Sequence, residues 1–170
     1  EEVVRLVHKR FGYPYVYLLT VDYSRRWVVF RAGIPPEVAQ SEIGCSLDDE
    51  KGIIPWVARH GERIVANDVR RDPRFRPSQF APATTQSELA VPLVFGDSVL
   101  GVVDVQSDRV DAFSADDVFL FEALADSIAI AVRNANLYQS ERWRRQVTEG
   151  LQQVAGLLSS NVGVDAVIEA

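Results

Sequence analysis

The feature that most restricts the fold of this chain is a pair of apolar segments, 89–95 and 98–105, joined by Gly96-Asp97. A two-residue loop that begins with glycine is typical of a β-hairpin, because such tight turns require positive φ. The two segments are therefore predicted to be neighbouring antiparallel strands.

The turn also predicts which side chains share a face of the hairpin. With Phe95 opposite Ser98, Val91 lies opposite Val102, because pairing proceeds residue by residue from the turn. One predicted face carries Leu89, Val91, Leu93, Leu100, Val102 and Asp104, and the other carries Glu88, Ala90, Pro92, Val94, Val99, Gly101, Val103 and Val105. Both faces are mostly apolar and need cover, which predicts a three-layer α+β structure with the hairpin at its centre.

Shorter elements precede the hairpin. Apolar spacing and turn residues predict helices over 2–11 and 52–59, and strands over 15–23, 27–32 and 64–66. The next segment, residues 67–87, contains three prolines and little periodicity. An irregular segment of this length within a compact domain is typically a functional loop.

A long helix is predicted after the hairpin. Ser114 suits the N-cap position, and acidic residues follow in the first turn, where the helix dipole favours them. Apolar residues then alternate at spacings of three and four, at Phe121, Leu124, Ile128, Ala131, Ala135 and Tyr138. This heptad seam predicts a contact between the helices of two chains, with packing on the domain's own sheet as the alternative.

The helix changes character after this seam. Residues 139–146 are polar apart from Trp143, and apolar spacing resumes in a different phase at Val147, Leu151, Val154 and Leu158. A phase shift in a heptad helix alters its supercoil locally, so two helix registers are expected to be close in energy here.

Composition excludes several classes of function. The 170-residue chain has a formal net charge of -6, which disfavours broad electrostatic binding to nucleic acid or an anionic membrane. Cys45 is the only cysteine, so an internal disulfide or a multi-thiolate metal site is excluded. No apolar run is long enough to span a membrane and no signal peptide is present, so a cytoplasmic location is expected. Because Met is absent even at position 1, the chain is interpreted as a piece of a longer protein.

Taken together, these segments resemble the GAF domain, a small-molecule-sensing relative of the PAS fold. The resemblance rests on the ordered motifs Gly52-Ile-Ile-Pro-Trp-Val-Ala58, Gly61-Glu62, Asn67-Asp68-Val69, Asp72-Pro-Arg-Phe75, Ser87-Glu-Leu-Ala-Val-Pro-Leu93, Gly96-Asp97, Val99-Leu-Gly-Val-Val-Asp-Val-Gln-Ser107 and Phe113-Ser114. It implies an antiparallel sheet of about five to six strands, with terminal helices on one face and short helices and loops over a ligand pocket on the other. Many such domains dimerise through their terminal helices and relay signals in bacterial multidomain proteins.

The same resemblance divides the chain into two parts. Residues 1–140 are expected to complete a GAF sensor domain, and 141–170 to form a connector helix. A break in this helix is predicted at 159–163. Residues 164–169 are similar to 1–6, which suggests the start of a following domain.

The resemblance places a ligand pocket beneath the irregular segment. The candidate pocket residues are Trp56, Asp68, Arg74, Phe75, Phe80, Ser87, Glu88 and Asp104. Asp104 lies within an apolar strand, where a carboxylate is costly unless it is paired or hydrogen-bonded. It is therefore expected to cap backbone groups of the nearby loop, to pair with Arg70 or Arg74, or to contact a ligand.

Three other candidates also have structural alternatives. Glu88 is a candidate anchor of the loop, and Trp56 is a candidate core residue. The planar guanidinium of Arg74 suits an anionic ligand, but it equally suits an ion pair within the protein.

Known ligand signatures of the family are incomplete in this chain. At the positions of the cyclic-nucleotide signature, Phe113 and Asp117 match, but Ser107-Asp108 and Val118 do not, so its Lys–Asp ion pair is excluded. Residues 67–87 contain no Cys or His to attach a bilin chromophore.

Metal, haem and enzyme chemistry are also disfavoured. His8 and His60 do not converge with other donors at ligand spacing, so no metal or cofactor is predicted. Methionine sulfoxide reductases of this fold need a nucleophilic and a resolving cysteine, whereas Cys45 is alone and lies outside the expected segment.

The sequence therefore predicts a non-catalytic, small-molecule-sensing domain that forms a homodimer through its terminal helices. It is expected to signal to a downstream domain in the same chain, such as a histidine kinase of a two-component system or a diguanylate cyclase. No nucleic acid, membrane or named ligand is predicted as a partner. The alternative is a ligand-free module that only dimerises and spaces its neighbours.

Overall fold

The computed structural model describes residues 2–34, 44–77, 80 and 82–168, with the backbone alone for Val3 and for 158–168. Its helices are α1 (Glu2–Phe11), α2 (Ile53–His60) and α3 (Ala115–Ile168), with a 3-10 turn at Val69–Arg71. Its strands are β1 (Tyr15–Asp22), β2 (Trp27–Ile34), β3 (Gly44–Ser46), β4 (Ile64–Ala66), β5 (Ser87–Phe95) and β6 (Ser98–Ser107). The chain divides into two units, Glu1–Ala131 and Val132–Ala170.

The six strands form one antiparallel sheet in the order β3-β2-β1-β6-β5-β4. The predicted hairpin supplies its β5 and β6, and Gly96 at the turn has the expected positive φ of 58°. The α+β class and the antiparallel sheet of about six strands are therefore confirmed.

Each face of the sheet carries its own apolar layer. On one face, α1 and the start of α3 pack through Val4, Val7, Phe121 and Ile128 on side chains such as Val16 and Val103. On the other face, α2 and the following loop pack through Ile54, Val57, Val69 and Phe80 on Tyr17, Leu19, Ala90 and Val102. The second layer is where a ligand pocket was expected.

The predicted register of the hairpin is wrong beyond the turn. Phe95 pairs with Ser98 and Val94 with Val99, but Leu93 then pairs with Gly101, which leaves Leu100 unpaired. This one-residue irregularity exchanges the faces of every later residue of β6. Asp104 therefore lies on the face of Glu88 and Ala90, not on that of Leu89 and Val91.

The start of α3 is confirmed as a capped helix. The Asp117 N–H donates to Ser114 Oγ at 3.2 Å, and the Ser114 N–H donates to Asp117 Oδ2 at 2.9 Å. These two reciprocal bonds form a capping box. The break expected at 159–163 is wrong, because the α3 backbone remains helical to Ile168.

The heptad seam divides into buried and exposed parts. Phe121 and Ile128 are buried within their own unit, as the alternative interpretation of the seam expected, and Leu124 is half-buried. The remaining seam residues, Ala131, Ala135 and Tyr138, are exposed. None of the described helices combines the length and the apolar character that crossing a membrane requires.

Candidate functional site

A cavity of about 380 Å³ lies between the start of α2, strand β3, the loop after α2 and the sheet. Its wall is mostly apolar and includes Trp27, Cys45, Ile53, Ile54, Phe75 and Phe80. The polar wall residues are Ser46, Asp49, Lys51, Arg76 and Glu88. A small apolar cleft with a few polar groups is the usual form of a small-molecule site, for which volumes of ~300–1,000 Å³ are typical.

The sequence around Gly52 determines how α2 begins at this cavity. Gly52 has φ 124°, a conformation that side chains disfavour, and a Cβ there would lie 2.9 Å from the Pro55 ring. The Gly52 N–H donates to the Arg74 carbonyl at 2.9 Å, which joins the helix start to the loop. No side chain caps α2, and the backbone contact of Gly52 with the loop takes the place of such a cap.

Two buried acids lie beneath the cavity. Glu88 on β5 lines the cavity and is 2% exposed, and Asp104 on β6 is 0% exposed. The register pairs Glu88 with Gln106 and Ala90 with Asp104, so the two carboxyl groups are diagonal neighbours on one face. The corrected register is what brings them together.

A network of hydrogen bonds holds the deeper acid. Gln106 Nε2 donates to Asp104 Oδ2 and to the Phe80 carbonyl, both at 2.5 Å, and Thr85 Oγ1 donates to Gln106 Oε1 at 2.8 Å. Among the described residues, Asp104 Oδ1 and Tyr17 Oη are buried without a hydrogen-bond partner when both acids are ionised. The hydrogen-bond network is therefore incomplete, and each buried polar atom that is left unpaired costs about 1–3 kcal/mol of stability.

The incomplete network explains how the two acids titrate. Burial raises the pKa of Asp104 to about 7, against the opposing effect of hydrogen bonds from Glu88 and Gln106. Burial, followed by the neighbouring charge of Asp104, raises the pKa of Glu88 well above its usual value. Glu88 therefore keeps its proton and donates it to Asp104, and the pair carries at most one negative charge at neutral pH.

The structure brings four of the eight predicted pocket residues to the cavity region. Glu88, Phe75 and Phe80 line the wall, and Asp104 lies behind Glu88. Trp56 packs at the edge of the same core, where its ring stacks on His60 with centroids 4.2 Å apart. Trp56 therefore fits the alternative interpretation, that of a core residue.

Asp68, Arg74 and Ser87 were predicted to line the pocket, but the structure does not place them on its wall. Asp68 caps the 3-10 turn and binds Arg70 at 2.8 Å. Arg74 binds Asp72 at 2.6 Å and covers the Trp56 ring at 4.8 Å, while the Ser87 hydroxyl donates to the Arg109 carbonyl.

The predicted partners of the two acids are also corrected. Arg70 and Arg74 are both bound to nearby aspartates, so neither pairs with Asp104. Asp104 caps no loop backbone and is instead held by the Gln106 side chain. Gln106 holds the loop, because its side chain donates to the Phe80 carbonyl. The role of loop anchor that was expected for Glu88 therefore belongs to Gln106, which pairs with Glu88 across the two strands.

Sequence reasoning missed two further features of the site. Tyr17 and Gln106 complete the buried polar cluster, and the alternation Asp104-Val105-Gln106 could have revealed that Gln106 shares the face of Asp104. Cys45 lies on the cavity wall, where burial raises the pKa of its thiol to about 12. A thiol in that environment is a poor nucleophile.

Metal ligands are not assembled here. The described part of the chain contains no group of three or more His, Cys, Asp or Glu residues arranged to hold a metal ion. His8 and His60 instead contact the backbone carbonyls of Tyr13 and Trp56.

Comparison with known proteins gives one family and several similar folds. Residues 1–133 match the family described as "GAF domain". The GAF domain of a phosphoenolpyruvate-protein phosphotransferase from Coxiella burnetii is similar with a TM-score of 0.73 at 16% identity, covering 81% of this chain and 82% of that one. A type II free methionine-R-sulfoxide reductase from Thermoplasma acidophilum is similar with a TM-score of 0.68 at 19% identity, covering 78% of this chain and 89% of that one. At these identities the likeness concerns the fold alone.

Proposed function

Because the chain belongs to the GAF domain family, we propose that it binds a small molecule in the cavity beneath α2 and relays this binding to an output domain in the same protein. A histidine kinase and a diguanylate cyclase are examples of the output domain that we propose. The observation that carries the proposal is the cavity of about 380 Å³ whose floor includes Glu88, with buried Asp104 behind it.

The incomplete polar network supports binding over mere packing. A domain that serves only as a spacer gains nothing from two carboxyl groups and an unpaired tyrosine hydroxyl in its core, because each lowers its stability. An apolar wall above buried polar groups supplies both affinity and selectivity for a ligand. Ligand binding then explains why the domain keeps a buried polar network that lowers its stability.

The sheet offers a route from the cavity to the terminal helices. Helix α2 contacts β5 and β6 on the cavity face, and α1 contacts β1 and β2. Phe121 and Ile128 at the start of α3 pack on the face opposite α2. A ligand changes the arrangement of these helices only if it binds two arrangements with different affinity.

The same helices support a homodimer. Leu6 and Phe11 on α1 and Leu120, Leu124 and Ala131 on α3 line an apolar groove of about 410 Å³ in the first unit. Leu6 is 63% exposed, and large apolar patches on a protein surface commonly mark an interface. We therefore place the dimer contact at this groove and along the exposed α3 residues.

Light scattering after size exclusion tests the dimer. Leu6→Glu puts a charge into the groove and is expected to give a monomer, while Ser98→Glu, at the exposed hairpin turn, leaves the dimer intact. If Leu6→Glu and Ser98→Glu have the same mass as the native chain, the groove is not the interface.

Catalysis is not part of the proposal. A sulfoxide reductase needs a thiolate and a second cysteine, but Cys45 is the only cysteine and burial keeps its thiol protonated. An enzyme of this kind would lose its activity in Cys45→Ser. We expect no methionine sulfoxide reduction by either the native chain or this variant.

A thermal-shift screen with nucleotides, amino acids, amines and aromatic acids tests ligand binding. A ligand at one hundred times its Kd stabilises the folded state by ~2.7 kcal/mol, which raises Tm by several degrees. Because Cys45 lies on the wall, a bound ligand should also slow its modification by a thiol reagent. If no compound shifts Tm or protects Cys45, the ligand-free spacer replaces the sensor.

A further inference from the structure

The buried acid pair indicates the chemistry of the ligand, an inference that rests on the proposed function. Glu88 and Asp104 are 2% and 0% exposed, and only Glu88 reaches the cavity wall. Any group that enters the floor of the cavity therefore meets the Glu88 carboxyl first. Asp104 supports Glu88 from behind.

Within the described residues no cation forms an ion pair with Glu88 or Asp104, and Lys51, the lysine of the cavity wall, is exposed. Arg70, Arg74 and Arg76 are bound to Asp68, Asp72 and Asp49 at 2.8, 2.6 and 2.7 Å. Gln106 offers Asp104 Oδ2 one neutral donor, and apart from the proton shared with Glu88 the Asp104 Oδ1 atom has none. The pair satisfies itself by sharing a proton, which leaves one buried negative charge without a positive partner.

We propose that the ligand of this cavity carries a protonated nitrogen, as in an ammonium or amidinium group, which binds the singly ionised pair of Glu88 and Asp104. The N–H donors of such a group bond to the Glu88 carboxyl oxygens at the cavity floor, and its charge compensates the single negative charge of the pair. Charge-assisted hydrogen bonds of this kind are roughly twice as strong as neutral ones. The rings of Phe75 and Phe80 supply apolar surface for the body of the ligand.

The exchange of charges makes binding depend on pH. Where the free pair holds both protons, one of them leaves for solvent as the ligand cation enters, so affinity rises with pH until the free pair is singly ionised. The other titratable or charged groups near the pair are Tyr17, Cys45, Asp49, Lys51, Asp72 and Arg76. Burial raises the pKa of both Tyr17 and Cys45, so these two groups remain neutral at physiological pH.

Three probes of matched shape test the ligand class: 2-phenylethylamine, 2-phenylethanol and 3-phenylpropionate. Binding to the 170-residue chain is measured by calorimetry at pH 5.5 and 7.5, in two buffers of different ionisation enthalpy. The amine is expected to bind at least about tenfold more tightly than the alcohol at pH 7.5. Its affinity should fall by up to about tenfold per pH unit below the pKa of the pair, with up to one proton released.

Two variants separate charge from shape. Glu88→Gln and Asp104→Asn keep the volume of each side chain but remove its charge, and both should abolish the preference for the amine and the release of the proton. Glu62→Gln is the matched control, because Glu62 is exposed and not part of the cavity wall. Circular dichroism first establishes that each variant is folded, and either acid variant alone suffices for the test.

The outcomes also separate this inference from the proposed function. If the alcohol or the carboxylate binds as tightly as the amine, or if Glu88→Gln retains the preference, the cationic ligand is refuted while a sensor remains. If no probe binds or protects Cys45, the cationic assignment is equally refuted, and the broad screen then decides whether the cavity binds anything.

Discussion

Replacing Asp104 by asparagine should remove a large pH dependence of stability. The pKa of Asp104 rises from 3.8 to about 7 on folding, mainly because the carboxyl is fully buried. Each pKa unit corresponds to about 1.4 kcal/mol, so ionising this group weakens the folded state by roughly 4 kcal/mol. This is a large part of the ~5–15 kcal/mol that stabilises a typical domain.

The direction follows from proton binding. Because the pKa is higher in the folded state, folding takes up a proton between the two pKa values, and stability falls as pH rises. The stability that protonated Asp104 contributes is fully present below pH ~4 and is lost as the pH rises through about 7. Aspartates whose pKa is lowered on folding contribute stability that rises with pH and is fully present above pH ~5. These aspartates are Asp22, Asp48, Asp68, Asp72 and Asp117.

Urea unfolding at five pH values between 4.5 and 8.5, followed by tryptophan fluorescence, measures the effect. The free energy of unfolding of the native chain should fall with pH through this range, by up to about 1.4 kcal/mol per pH unit for each of the two buried acids. Asp104→Asn should have a clearly shallower profile, with the remaining slope due to buried Glu88, and should exceed the native chain by roughly 3 kcal/mol at pH 8. The control Glu62→Gln should keep the native slope. A native profile that is flat or rising between pH 5 and 8, or an equal slope in Asp104→Asn, refutes the buried ionisable pair.

Three further substitutions test the framework around the site, each by urea unfolding at pH 6. Gly101→Ala places a Cβ 2.1 Å from the Leu19 carbonyl oxygen. It should cost several kcal/mol of stability, because a strand backbone cannot move aside as a flexible side chain can. An unchanged urea midpoint would show that the strands separate easily. Ser114→Ala removes the cap of α3 and should cost about 1 kcal/mol, whereas Ser114→Asp should restore most of the loss. Phe121→Ala should cost about 3–5 kcal/mol, since its ring is fully buried against the sheet, and a loss below 1 kcal/mol would contradict that packing.

The fold was accessible from the sequence where local signals and burial agree. The turn at Gly96, the N-cap at Ser114 and the apolar spacing of α1 each depend on a few neighbouring residues, and the structure confirms all three. The break expected at 159–163 fails for the opposite reason. Ser, Asn and Gly lower helix propensity without forbidding a helix, and α3 continues through them.

The site was accessible in part. Glu88, Phe75 and Phe80 were found because polar or aromatic residues next to an apolar hairpin stand out. Arg74 and Asp68 were misplaced because each belongs to a local Asp-x-Arg pair, and the arginine folds back on the aspartate two residues before it. Two such motifs within seven residues were a visible signal of local pairing, and this signal was overlooked.

The position of Asp104 shows why the remainder required coordinates. Counted from the turn alone, Glu88 and Asp104 fall on opposite faces of the hairpin, and no acid pair exists. The unpaired Leu100 shifts the register by one residue, and Gly101 then allows β1 to approach within a distance that any side chain would block. Two residues without polar side chains thus create the polar floor of the cavity. It follows that deleting Leu100 should remove the irregularity and leave Leu93 opposite Gly101 and Ala90 opposite Asp104, so that both acids stay on one face and the pH dependence of stability persists. A Leu100 deletion that folds but has a flat pH profile would contradict this account of the register.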